Sequence, residues 1–92
     1  MRKLRKDIHI PVVVVKTKGT CEVHIPDLDL VVKGYDYIAA IANAIFYVSS
    51  IYYYNLDQNV TLQFTKTFNE VEDSLKSYPK NAFATFINLT EN

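Results

Sequence analysis

Cysteine is nearly absent. Cys21 stands alone in 92 residues, which excludes an internal disulfide and any zinc site built on cysteine. Glycine is almost as scarce, with Gly19 and Gly34 only, so no Gly-rich loop exists to cradle a phosphate or a nucleotide. Net charge is missing as well, because ten basic and ten acidic side chains cancel to zero. A nucleic-acid binder normally carries a basic excess along a continuous stripe. No signal-peptide pattern opens the chain and no repeat or low-complexity segment interrupts it. Together with the lone thiol, this leads us to expect a reducing, cytoplasmic setting.

What the chain does have is apolar bulk. Apolar residues make up 49% of it, including seven Tyr and five Phe, which is too rich for a disordered segment. The length fits one domain. A domain of this size buries roughly 60–65% of the surface its unfolded chain would expose, so its margin of stability is thin. The charges are also unevenly spread. Residues 1–18 carry Arg2, Lys3, Arg5, Lys6, Lys16 and Lys18 against Asp7, a balance of +5, and the remainder carries −5. We therefore divide the chain into a basic N-terminal arm over 1–7 and a single domain over 8–92.

Ile8–Val15 is a β-branched run, apolar on both faces, as expected of a strand covered on two sides or of one whose second face meets a partner. Pro11 within it argues for an edge position or a bulge. A turn over Lys16–Gly19 returns the chain through Thr20–Ile25, with Cys21, Val23 and Ile25 on one face and Glu22 and His24 on the other. Pro26–Asp29 breaks the ladder, and Leu30–Lys33 is a short third strand ending at Gly34. Asp36 is placed to cap a helix. From Tyr37 to Leu56 no residue is charged. Tyr37, Ile41, Ala44, Ile45, Val48 and Tyr52 form the stripe assigned to the sheet, while Ala40, Phe46, Ile51, Tyr53 and Tyr54 lie partly or wholly off it. The length approaches that of a membrane span, but Asn43, Ser49, Ser50, Asn55 and five tyrosines argue against one. A helix apolar nearly all round is better explained by a sheet on one side and another chain on the other.

Val60–Thr65 alternates like a half-buried strand. Thr67 and Glu70 have capping-box spacing for a second helix over 68–77, with Val71 and Leu75 inward, and Pro79 ends it. Ala82–Leu89 is the last strand. The expected fold is α+β, a small antiparallel-rich sheet in the order β-β-β-α-β-α-β covered by one long apolar helix.

Chemistry is thin along this chain. Of the acids Asp7, Glu22, Asp27, Asp29 and Asp36, the last is a cap and the middle pair are turn residues. Two remain where a two-metal site needs several. His9 and His24 would share a face as diagonal neighbours if Val15 paired with Thr20, with Glu22 as the nearest third ligand. Cys21 sits mid-strand on the apolar face, where a thiol is normally inert. We expect no enzyme, no metal and no cofactor.

The stretch IPDLDLVVKGYDYIAAIANA, residues 25–44, resembles the central signature of HicB-type antitoxin domains. Pro26, Asp27 and Leu28 match its first part, Gly34 its turn, Asp36 its cap, and Ala40, Asn43 and Ala44 its helix. The later order is similar too, over about residues 8–89. The resemblance implies a degenerate RNase-H-like sheet without nuclease acids. It also implies a role in binding and masking a small basic mRNA interferase of the HicA type. It does not extend to the C-terminal DNA-binding module of many relatives, so DNA binding is not carried over. Acids typical of the family are replaced by Ile38 and Ala39, which keeps a stand-alone homo-oligomer, a homodimer or larger, as the alternative. A third reading has the Arg2–Lys6 arm hold nucleic acid. Phe46, Ile51, Tyr53 and Tyr54 on the helix, with Val13 and Val15 on the first strand, are the candidate contacts to a toxin or a second copy.

Overall fold

The computed structural model describes residues 6–91, with side chains described from Asp7 to Leu89. Four strands form one antiparallel sheet: β1 (Lys6–Thr17), β2 (Thr20–Ile25), β3 (Leu30–Gly34) and β4 (Phe83–Glu91). Their order is β3-β2-β1-β4. Helix α1 (Tyr37–Asp57) follows β3, and the short helix α2 (Phe68–Asp73) runs on through a 3-10 turn, Ser74–Ser77, before β4. The class is α+β. The basic arm falls mostly outside the described residues, and Lys6 and Asp7 belong to β1.

The valine run of β1 is apolar on both faces because both faces are covered. Ile10, Val12 and Val14 point to the α1 side, where they join Cys21, Val23, Ile25, Val32, Ile87 and Leu89. Val13 and Val15 point the other way, under Val71 of α2, with Leu75, Tyr78, Ala82 and Ala84 around them. They are 0% and 3% exposed. Both are therefore core, which removes them from the candidate contacts: a second small layer of this chain occupies the place a partner would have taken.

The β1–β2 turn is tighter than expected. Thr17 pairs with Thr20, and Val15 therefore pairs with Glu22. Lys18 and Gly19 make the turn, with Gly19 at φ 81°, a conformation glycine adopts without strain. With only two residues between them, Thr17 and Thr20 must exchange their own hydrogen bonds. The alternation then runs through the sheet without a bulge. Odd-numbered residues of β1 direct N–H and C=O towards β2, and even-numbered ones towards β4.

Pro11 follows from that polarity. Its missing N–H would point towards β2, but the β1–β2 ladder begins only at Val13 and His24. Opposite β4, Pro11 pairs with Phe86 and deprives the ladder of nothing. β1 is thus central along its second half and an edge along its first, which reconciles a proline with an interior strand.

α1 lies on the sheet through Ala40, Ala44, Val48 and Tyr52, all 0–2% exposed, at four-residue spacing. Ile41 and Ile45 pack beside them. Ala40 belongs on this stripe rather than off it, and Tyr37 is peripheral at 44% exposed. Small residues at 40 and 44 bring the helix axis close to the strands. Burying Val48 and Tyr52 contributes roughly 2 kcal/mol each.

The expected strand over 60–65 is not formed. Burial there does alternate, with Leu62 and Phe64 half-buried against the α1-side core and Thr61 and Gln63 exposed. No strand offers this segment a ladder, however. Phe64 instead stacks on Tyr52 at 6.2 Å, and the Asp27 carboxylate accepts the N–H groups of Thr65 and Lys66 at 3.0 and 3.1 Å. The order is therefore β-β-β-α-α-β. α2 begins at a capping box, with Glu70 N–H donating to Thr67 Oγ1 and Thr67 N–H donating to Glu70 Oε1.

Candidate functional site

The feature most in need of a function is the outer face of α1. A helix docked by positions 40, 44, 48 and 52 must turn positions 42, 43, 46, 47, 50, 53 and 54 away from the sheet. In a single-layer cover those positions are normally charged. Here they are Ala42, Asn43, Phe46, Tyr47, Ser50, Tyr53 and Tyr54. Phe46 is 68% and Tyr54 67% exposed, with Tyr47 at 53% and Tyr53 at 39%. Phe46 and Tyr47 meet edge to face at 5.8 Å, and Tyr53 leans on buried Tyr52 at 5.3 Å. Phe46 and Tyr54 are eight residues apart, about 12 Å along the axis. Ile51 is half-buried and flanks the row rather than belonging to it.

The polar residues of this face satisfy the helix itself. Ser50 Oγ donates to the Phe46 carbonyl at 2.8 Å and Asn55 Nδ2 to the Ile51 carbonyl at 2.7 Å, so both are turned back onto their own backbone. Asn43 Nδ2 reaches across to the Lys33 carbonyl of β3 at 2.9 Å. Beside it, Val31, Lys33, Asn43, Phe46 and Tyr47 line an open groove of about 410 Å³ between β3 and α1.

The residues singled out by the signature fall at two places, the β2–β3 turn and the β3–α1 junction at the other end of β3, and each has a local task. Pro26, Asp27 and Leu28 form a single 3-10 turn closed by Asp29 at φ 51°. Leu28 packs on the core, and Asp27 holds the 65–66 backbone. Gly34 lies against the Ala39–Ala40 backbone, where any Cβ would collide. Asp36 caps α1, accepting the Ala39 N–H at 2.8 Å. Ala40 and Ala44 are wholly buried, and Asn43 ties helix to strand.

The histidines do not meet. His24 stands opposite Val13, so the two-residue turn sets it four positions along from His9, too far to share a ligand. His24 Nε2 lies 2.9 Å from Glu22 Oε1 and its ring packs edge-on to Tyr78. His9 Nδ1 lies 2.6 Å from Asn88 Oδ1, and its ring is edge-on to Phe86. Among the described residues no group of three His, Cys, Asp or Glu side chains is placed to hold a metal. Cys21 is 2% exposed, and burial pushes its thiol up from the ordinary value, away from the reactive thiolate. Among the described residues no helix is long and apolar enough to cross a membrane.

No protein-family model matches the chain, and no curated protein or solved structure matches it either.

Proposed function

We propose that the chain is a protein-binding domain of the HicB antitoxin type, which docks a small basic mRNA interferase on the outer face of α1 and masks it. The observation that carries this reading is the uncharged outward row of Phe46, Tyr47, Tyr53 and Tyr54. Tyrosine and phenylalanine exposed in one contiguous row supply the large apolar bodies, with polar tips on the tyrosines, that anchor protein interfaces. Charge supports a basic partner: Asp57 ends the row and is exposed, within a portion of chain that carries an acidic excess. Such a balance steers association more than it strengthens it. The signature resemblance supplies the toxin class.

The test is co-expression of the tagged chain with the small basic protein encoded beside it, followed by pull-down and a growth assay. Stable co-purification with relief of toxicity, both lost on Phe46→Asp with Tyr54→Asp, is the expected result. Co-purification unaffected by that double substitution removes α1 as the docking face. No complex at all removes the antitoxin reading.

A further inference from the structure

The sheet has two open edges, and they differ. β3 is five residues long and carries Lys33, and a short, charged edge resists pairing. β4 is nine residues long, and between Lys80 and Glu91 the sequence NAFATFINLT has neither charge nor proline. None of the usual protections of an edge strand is present there. The ladder polarity decides which groups it offers. Phe83, Thr85, Ile87 and Leu89 face even-numbered partners on β1 and bond inward, so Ala84, Phe86 and Asn88 turn N–H and C=O outward.

Phe83 and Phe86 stand on opposite faces of this strand, yet both are half-covered, at 44% and 45% exposed. Each has its inboard side occupied. Phe83 meets Tyr37 at 5.9 Å, and Phe86 stacks on Phe68 at 4.9 Å with His9 edge-on at 6.2 Å. One cause accounts for both bare sides: among the described residues no strand pairs with the outer edge of β4.

We propose that β4 is a dimerisation edge, at which two copies of this chain pair β4 against β4, antiparallel, in one eight-stranded sheet. A strand paired antiparallel with itself is two-fold symmetric, so it closes at two copies, and the short Lys33-bearing edges left outside discourage further growth. With the axis at Phe86, Ala84 of each copy faces Asn88 of the other, giving about six backbone hydrogen bonds. The two Phe86 rings then meet across the axis and extend the Phe68–Phe86 stack, while Phe83 falls opposite Leu89. Tyr37, Phe83 and Phe86 leave on the order of 250–300 Å² per copy to remove from water. Adding the strand backbone, Thr85 and Asn88, the total approaches the ~1,000 Å² that a specific interface needs. The outer face of α1 takes no part, so the inference does not rest on the toxin reading.

The test is sedimentation of the full chain over a concentration series. Wild type is expected to be dimeric, with dissociation raised at least tenfold by Phe86→Lys, which opposes two charges at the axis, and by Asn88→Pro, which deletes an outward backbone donor along with the side-chain contact to His9. Phe46→Asp should leave the dimer unchanged. The doubly substituted Ala84→Cys, Asn88→Cys chain guards against misfolding of those variants. Its two thiols lie about 13 Å apart within one strand, beyond disulfide reach. Across the axis their Cα atoms come to about 5.5 Å, so oxidation should yield a covalent dimer. Monomeric wild type, a dimer that survives both substitutions in folded protein, or a double-cysteine chain that oxidises without dimerising overturns the proposal.

Discussion

Gly34 and Ala40 touch backbone to backbone: a Cβ on Gly34 would fall inside contact distance of the Ala40 amide nitrogen and 2.7 Å from the Ala39 carbonyl carbon. Neither neighbour can move aside, because Ala40 is wholly buried on the sheet and the Asp36 cap fixes the first turn of α1. Gly34→Ala is therefore expected to destabilise the domain by about 2–4 kcal/mol, through overpacking rather than dihedral strain. Urea unfolding measures it, and a loss below about 0.5 kcal/mol would contradict the close approach.

Asp27 secures the segment that has no ladder. Replacing it with Ala frees the N–H groups of Thr65 and Lys66, each a charge-assisted bond near the surface, and should cost about 1–2 kcal/mol. The sharper readout is amide exchange: Thr65 and Lys66 should exchange faster in the variant, with the β1 amides unchanged. Equal exchange in both proteins would show that Phe64 and Leu62 hold the segment unaided.

Glu70 makes α2 sensitive to acid. The Thr67 backbone N–H, and then the Thr67 side chain, hold its carboxyl below the ordinary range. A lowered folded-state pKa contributes stability that is present above the unfolded value and disappears as pH falls through the folded one. Wild type should therefore exceed Glu70→Gln in thermal stability at neutral pH, with the gap closing below about pH 4.5, the ordinary value. A gap independent of pH would mean that the side chain stabilises α2 equally well without charge.

The outer and inner faces of α1 should respond differently to one substitution. Phe46→Asp and Tyr54→Asp place charge where the ring is already about two-thirds exposed. Each should leave the fold intact and weaken partner binding by about 1–3 kcal/mol. Ala44→Asp buries an unpaired carboxylate against Val12 and Val23 of the same core and should prevent folding. Circular dichroism beside the binding assay separates the two cases.

Local rules made much of this fold legible before any coordinates. Asp36, the Thr67–Glu70 box and the Pro26 break each act within a few residues, so their spacing alone gave α1, α2 and the end of β2. Cys21, Val23 and Ile25 announced their face by simple alternation. The failures were those of partnership. Val60–Thr65 alternates for lack of cover on one side, and alternation cannot say whether a strand stands beside it. Val13 and Val15 were apolar for a reason that lies 56 residues or more along the chain, at Val71. The separation of His9 from His24 hung on whether the turn held two residues or four, a difference that one glycine leaves open. The outer row of α1 was visible as an absence of charge, whereas the bareness of Phe83 and Phe86 became apparent only once β4 proved to be terminal in the sheet.

The β1–β4 ladder has a consequence for synthesis. It runs from the Lys6–Glu91 pair to the Val14–Phe83 pair, the longest sequence separations in the sheet. A ribosome adding roughly 5–20 residues per second needs on the order of 4–15 s to travel from one strand to the other. For most of that interval the Val13–Val15 run can fold back on β2 but lacks its α2 cover, and its other neighbour arrives only after α2. The nascent chain therefore exposes its valine-rich segment first and shields it last, which makes that run the expected contact for chaperones during synthesis.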